Sequence, residues 1–278
     1  MRKKEKKITV LLMIAFFTGI ALLLYPAISD YWNSFHQTKA ITSYSETVSE
    51  LKREDYDNLL QQATDYNRSI ADRKNIYELS ETERVLYNSM LDVSGTGVMG
   101  YLQIPVLDLQ LPIYHGTDET VLQVAVGHLE WTSLPVGGEG THCVLSGHRG
   151  LPSAKLFSNL DKLAQGDVFM LYVLDEVLTY EVDQILTVEP MVVSDLQVEE
   201  GKDYCTLLTC TPYGVNSHRL LVRGHRVENS KAMKAVRITS EAIQVEEILV
   251  ASVLAVPVLA VMITVVYVVP GRKRRRPF

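Results

Sequence analysis

Cysteine is scarce in this sequence: three residues among 278, with no C-x-x-C pair and no H-x-x-x-H pair. That spacing argues against a structural zinc site, and neither a metal nor an organic cofactor is expected. An odd count also excludes a domain stapled wholly by its own disulfides. At least one of Cys143, Cys205 and Cys210 is therefore free or paired with another chain. A basic surplus is lacking too. The formal net charge is −6, and the basic ends, Arg2 to Lys7 and Arg272 to Arg276, contribute +4 and +5, which leaves −15 for the segment between them. Such a segment repels phosphates, which argues against nucleic acid as a partner. No internal repeat is present, and low-complexity sequence is confined to the basic ends.

Long apolar runs are present, and they sit next to those basic ends. Ile8 to Tyr25 is uncharged for 18 residues and Ile248 to Val269 for 22, each long enough to span a bilayer. Basic flanks stay on the cytoplasmic side. Two spans then leave both termini inside and everything from Ser29 to Glu247 outside. A cleaved signal peptide is the alternative for the first run, since Ala27-Ile28-Ser29 has the small-x-small form of a cleavage site.

Between the runs the pattern changes once. From Asp30 to Asp65 apolar residues recur mostly at three- to four-residue spacing, which predicts one or two amphipathic helices. Ser80-Glu81-Thr82-Glu83 is a capping box ahead of Val85, Leu86, Met90 and Leu91, and predicts a further helix. Asn67 to Leu79 is charged and aperiodic, and reads as a loop. After the glycine-rich turn Asp92 to Gly97 come seven predicted strands: Val98 to Ile104, Leu107 to Tyr114, Thr141 to Ser146, Val168 to Leu174, Val177 to Val188, Asp203 to Cys210 and Arg219 to Val227. A helical piece from Asp118 to Val126 interrupts them. So many short strands imply a mainly β fold, an antiparallel barrel or sandwich.

The last two strands carry the chemistry. They form a predicted hairpin across a turn holding Pro212, Gly214 and Asn216, with Cys210 at its rim and Arg219 on the returning strand. Period-2 alternation puts Thr206, Leu208 and Cys210 on one face and Cys205, Leu207 and Thr209 on the other, so Cys205 and Cys210 point opposite ways. Cys143 and Cys205 read as small core residues. A thiol and a guanidinium suit acyl transfer once a histidine joins them, and Ser146-Gly147-His148-Arg149 is the best supplier. His115, His128, His142, His218 and His225 are the rivals.

Thr206-Leu207-Leu208-Thr209-Cys210 matches the TLxTC signature of the sortases, membrane-anchored cysteine transpeptidases of Gram-positive bacteria. Arg219 matches their essential arginine and His148 their histidine. The chain resembles that family from about Gly97 to Val227. The resemblance implies an eight-stranded β-barrel, with Cys210 as nucleophile, His148 as general acid and base, and Arg219 as the electrostatic stabiliser. It also implies an LPxTG-like sorting signal cut after threonine, a thioacyl intermediate, and an amine that resolves it.

N-terminal helices and a second span resemble class C, the pilin-polymerising sortases, whose lid loop usually carries Asp-Pro and an aromatic residue. Here the loop reads Ile70-Ala71-Asp72-Arg73-Lys74-Asn75-Ile76-Tyr77, without the proline, and Asp72 and Tyr77 are the candidate lid residues. The expected organisation is a basic end and span over 1–28 and a helical region over 29–96 with the lid at 67–79. A catalytic barrel follows over 97–228, a linker over 229–247, a second span over 248–269 and a cytoplasmic tail over 270–278. The leading reading is a pilin transpeptidase acting on pilin or surface-protein substrates with C-terminal sorting signals. Its alternatives are a sortase that anchors proteins to cell wall and an inactive membrane-bound scaffold on the same barrel.

Overall fold

The computed structural model describes residues 2–71 and 77–229. They lie in the first of two compact units, Met1–Ala235; the second, Val236–Phe278, falls outside the described residues, and the expected second span and tail fall there with it.

Eight strands close into a barrel: β1 (Val98–Ile104), β2 (Leu109–His115), β3 (Val126–His128), β4 (Thr141–Ser146), β5 (Val168–Val173), β6 (Glu176–Val188), β7 (Asp203–Thr211) and β8 (His218–Val227). Their order around the barrel is β1-β2-β3-β4-β7-β8-β6-β5. Alternation drives this closure. On β4, β7 and β8 the residues Cys143, Leu145, Cys205, Leu207, Leu220 and Val222 join the main core, while the intervening Val144, Leu208 and Leu221 belong to a second, smaller apolar cluster on the opposite face.

Two features depart from the reading by pattern. The strand β3 has three residues, too few to show a period, and it begins at Val126, where the expected helical piece from Asp118 ends; the helix itself covers only Glu119–Leu122. The sheet is also not wholly antiparallel. β2 pairs with β3, and β4 with β7, in parallel. The chain between β4 and β7 is long enough to build β5 and β6 before it returns, so β7 can lie alongside β4 in the same direction.

Helices α1 (Arg2–Ser49), α2 (Arg53–Ala71) and α3 (Glu81–Ser89) precede the barrel, and α4 (Glu119–Leu122) lies between β2 and β3. The capping box is formed: the Ser80 hydroxyl accepts from the Glu83 N–H, and the Glu83 carboxylate accepts from the Ser80 N–H. α2 runs beyond Asn67, into the stretch expected to be loop. Asn67 is buried and completes both backbone bonds of Leu134, donating to its carbonyl at 3.1 Å and accepting from its N–H at 2.7 Å.

α1 is long and apolar enough to cross a membrane, and its apolar window has no burial against the rest of the protein. Its C-terminal part docks on the barrel through Tyr44, whose hydroxyl donates to the Met99 carbonyl at 2.9 Å and accepts from the Leu174 N–H at 2.7 Å. Burial pushes the Tyr44 phenol well above its ordinary value, so it stays a neutral donor. Tyr44→Phe would leave both backbone groups without a partner in an apolar site. We expect it to cost about 1–3 kcal/mol, measured as a shift in the denaturant midpoint.

Candidate active site

Three neighbouring strands, β4, β7 and β8, end or begin at one edge of the barrel, and each brings one of the predicted groups there. Cys210 and Arg219 are cross-strand partners in the β7–β8 ladder. β4 runs parallel to β7 with Ser146 beside Leu208, and the Gly147 N–H continues that ladder by donating to the Leu208 carbonyl at 3.1 Å. His148 follows two residues after the end of β4, and Cys210 two residues after Leu208 on β7. Adjacent strands lie about 4.8 Å apart, so the end of β4, Leu208 and the Cys210–Arg219 pair share one edge of the barrel.

Both threonines of the TLLTC stretch serve this alignment. The buried Thr209 hydroxyl donates to the Gly147 carbonyl at 2.8 Å, which locks the end of β4 to β7 one residue before His148. The Thr206 hydroxyl meets His142 Nε2 at 2.7 Å, while His142 Nδ1 meets the Gln197 carbonyl. Two glycines let the His148 loop lie close. A Cβ on Gly147 would stand 2.7 Å from the Phe157 ring, and Gly150, at φ +76, packs under Tyr213 of the β7–β8 turn. Phe157 in turn donates its N–H to the His148 carbonyl at 3.0 Å. Arg149, next in the chain, ion-pairs with Asp161, reaches the Thr211 hydroxyl and lies over the Tyr213 ring, tying the loop after β4 to the turn after β7.

The rival histidines have structural partners. His115 bonds the Gly97 and Met90 carbonyls, and the buried His128 bonds the Tyr87 hydroxyl and the Ser133 carbonyl. His218 contacts the Ser217 hydroxyl, and His225 faces Asp183 at 4.0 Å. His148 is partly exposed, and its Nε2 stands 3.5 Å from Glu119 Oε2. Cys143 and Cys205 are register partners buried inside the barrel, and burial pushes the Cys205 thiol well above its ordinary value. Cys210 is the thiol that is not buried. The Arg219 guanidinium donates through Nη1 to the Asn216 and His218 carbonyls, at 3.3 and 3.1 Å.

Reading the sequence alone missed what lies beside the thiol. Leu208 and Leu221 share the face of Cys210 and Arg219, and with Val144, Leu196, Leu186 and Trp131 they make an apolar floor outside the barrel. The alternation of these strands was the signal that would have located it. Tyr77 packs edge-on against Trp131, with ring centroids 5.1 Å apart, so this candidate lid residue reaches the same floor. Asp72 lies outside the described residues. A separate cleft of about 700 Å³, bounded by Val136, Asp203, Tyr204 and Arg226, occupies the other ends of β7 and β8. The site is thus an open edge rather than that cavity.

A helix-preceded closed barrel with this set of groups at one edge has the architecture of a cysteine transpeptidase class. Comparison with known proteins agrees. A Sortase domain profile matches residues 102–227. The crystal structure of sortase C1 from Streptococcus agalactiae superposes with a TM-score of 0.67 at 52% identity, over 69% of this chain and 99% of that one. Sortase C of Streptococcus pneumoniae, whose structure is described in terms of catalysis and pilin substrate specificity, gives 0.63 at 46% identity, over 68% and 97%. Sortase D of Bacillus subtilis is 32% identical over 131 residues, which is 46% of this chain and 63% of that protein. The chain belongs to the sortase family, and the two solved structures named here are class C sortases.

Proposed function

We propose that this chain is a membrane-anchored cysteine transpeptidase that cleaves LPxTG-like sorting signals of pilin subunits and joins the acyl group to a lysine amine of another pilin. The observation that carries the reading is the cross-strand pairing of Cys210 with Arg219 beside an apolar floor, with β4 ending alongside Leu208 two residues before His148. Cys210 Sγ attacks the scissile carbonyl, a C–S bond forms, and the C–N bond breaks as His148 gives its proton to the departing amine. Arg219 stabilises the oxyanion that develops on the carbonyl oxygen. The acceptor lysine then attacks the thioester, passing a proton back to His148. A new C–N bond replaces the C–S bond.

Leu208, Leu221 and Trp131 suit the leucine and proline of such a signal, since they offer apolar surface next to the sulfur. The pilin assignment draws on the class C relatives and on the helices ahead of the barrel, with the 67–79 segment as lid. α1 supplies one anchor, and the uncharged run 248–269 the second, with both basic ends cytoplasmic and the 97–228 barrel outside.

The test is product analysis with the full chain in lipid vesicles and a sorting-signal substrate. Lysine-linked ladders, with the isopeptide found by mass spectrometry, support the reading. Products joined only to cell-wall peptide amines, or no joined product, overturn it. A further expected result concerns alignment. Thr209→Val removes the bond to the Gly147 carbonyl while keeping the side-chain volume, and a misplacement of His148 on the order of 1 Å would lower kcat about ten- to a hundredfold. Steady-state kinetics beside a thermal unfolding curve would separate this from simple loss of fold.

A further inference from the structure

The strand that leads to His148, β4, has a neighbour on each side. The barrel order β3-β4-β7 puts Cys210 on the β7 side of β4 and leaves the β3 side to α4, which immediately precedes β3. From that side comes Glu119. Its two oxygens are differently engaged: Oε1 accepts from the Gln123 amide at 2.6 Å, one helical turn on, and Oε2 stands 3.5 Å from His148 Nε2. Gln123, and after it His148, hold the Glu119 carboxyl below its ordinary value.

The segment entering α4 is tied to buried structure. The Gly116 N–H, just ahead of the helix, donates at 3.0 Å to the Tyr87 hydroxyl, which is fully buried and bonds His128 Nδ1 at 2.9 Å. A Cβ on Gly127 of β3 would stand 2.2 Å from the Gly116 carbonyl oxygen, so strand and helix entry lie in direct contact. The carboxylate is therefore presented from a chain segment held three residues earlier, at Gly116, and its own side chain is 70% exposed.

We infer that Glu119 is a positioning residue for the acyl transfer proposed above: it accepts from His148 Nε2–H and leaves Nδ1 as the nitrogen that serves Cys210 and the substrate. The inference rests on that reading of the site. A carboxylate on the far ring nitrogen sets both the tautomer and the plane of an imidazole, and it stabilises the ring when it carries the extra proton. The other charged groups at this edge are engaged elsewhere. Arg149 is neutralised by Asp161, and Arg219 is engaged with the carbonyls of its own turn on the β7–β8 side. Gln123 aims the carboxylate, in the way that outer partners orient a ligand.

The experiment uses the full chain in detergent, an LPxTG-containing donor peptide and a lysine amine acceptor. Glu119→Gln is expected to lower kcat roughly fivefold, the scale of a partly exposed ion pair, with KM unchanged. Glu119→Asp should keep at least half of the wild-type kcat, and Gln123→Leu should fall between the two. Nitrogen-15 spectra of the His148 ring should place the proton on Nε2 in the wild type and show mixed tautomers in Glu119→Gln. A Glu119→Gln protein with wild-type kcat, or with an unchanged ring spectrum, overturns the inference. A wild-type protein inactive on the peptide, with the ring signature still dependent on Glu119, overturns the transpeptidase reading and upholds the pairing.

Discussion

Cys210→Ala is expected to abolish thioacyl formation and joined product, with kcat down on the order of 10⁴-fold or more, while the protein folds normally. The thiol stands at the barrel rim, half-buried, on the face opposite the main core, so its loss opens no cavity among packed side chains. The two other cysteines supply the contrast. Cys143 and Cys205 lie inside the core, where removing a sulfur costs packing but touches no reacting atom. Cys143→Ala and Cys205→Ala should each lose about 1 kcal/mol of stability and keep their chemistry. Mass spectrometry of the enzyme after brief exposure to a sorting-signal peptide reads the result directly, as an added acyl mass on wild type and none on Cys210→Ala. An acyl adduct or normal turnover in that variant would remove the nucleophile from the mechanism.

The contrast between the cysteines was legible before any coordinates. Residues 205 and 210 are an odd number apart on one strand, and alternation alone sends them to opposite faces. The capping box at Ser80 was equally legible, because its partners are local in sequence and its geometry requires nothing from the rest of the fold. Seven of the eight strands were legible for the same reason. β3 was not, since a three-residue strand has no period of its own and is held by its neighbours β2 and β4. The end of α2, at Ala71, is not legible because the stretch from Asn67 is charged and aperiodic, and Asn67 is held by a distant partner. Its side chain completes the backbone bonds of Leu134, a residue far along the chain that no local pattern can supply.

The site divides along the same line. Cys210 and Arg219 are close in sequence and face each other across one hairpin, so their meeting followed from the turn between them. His148 comes from a strand whose parallel pairing with β7 depends on the whole β5–β6 excursion, and periodicity carries no information about that. Family resemblance named the histidine; the parallel pairing of β4 with β7, continued by the Gly147 bonds to Leu208 and Thr209, brings the chain just before it to the β7 edge. Glu119 lay in a recognised helical piece, yet nothing in its spacing indicates that α4 abuts the end of β4. Long-range closure decides that contact.

Arg219→Ala should lower kcat by roughly 10²- to 10³-fold, the range seen when one oxyanion donor is removed, with a much smaller change in KM. The reasoning starts from the turn. Asn216, at φ +60, bends the chain so that its carbonyl and that of His218 both face Arg219 Nη1, and these bonds hold the guanidinium at the start of β8, where Cys210 is its cross-strand partner. The charge is thus placed before substrate arrives, which is the condition for stabilising charge that develops only in the transition state. Arg219→Lys keeps a positive charge but has no planar fork to satisfy the turn carbonyls and a substrate oxygen together, so it should recover only part of the loss. Single-turnover acylation separates the steps, since a missing oxyanion partner slows acylation at saturating peptide. If KM rose in Arg219→Ala while the acylation rate at saturation stayed at the wild-type value, Arg219 would be a residue that binds substrate, and the stabilisation of the oxyanion would have to come from backbone N–H groups at the same edge.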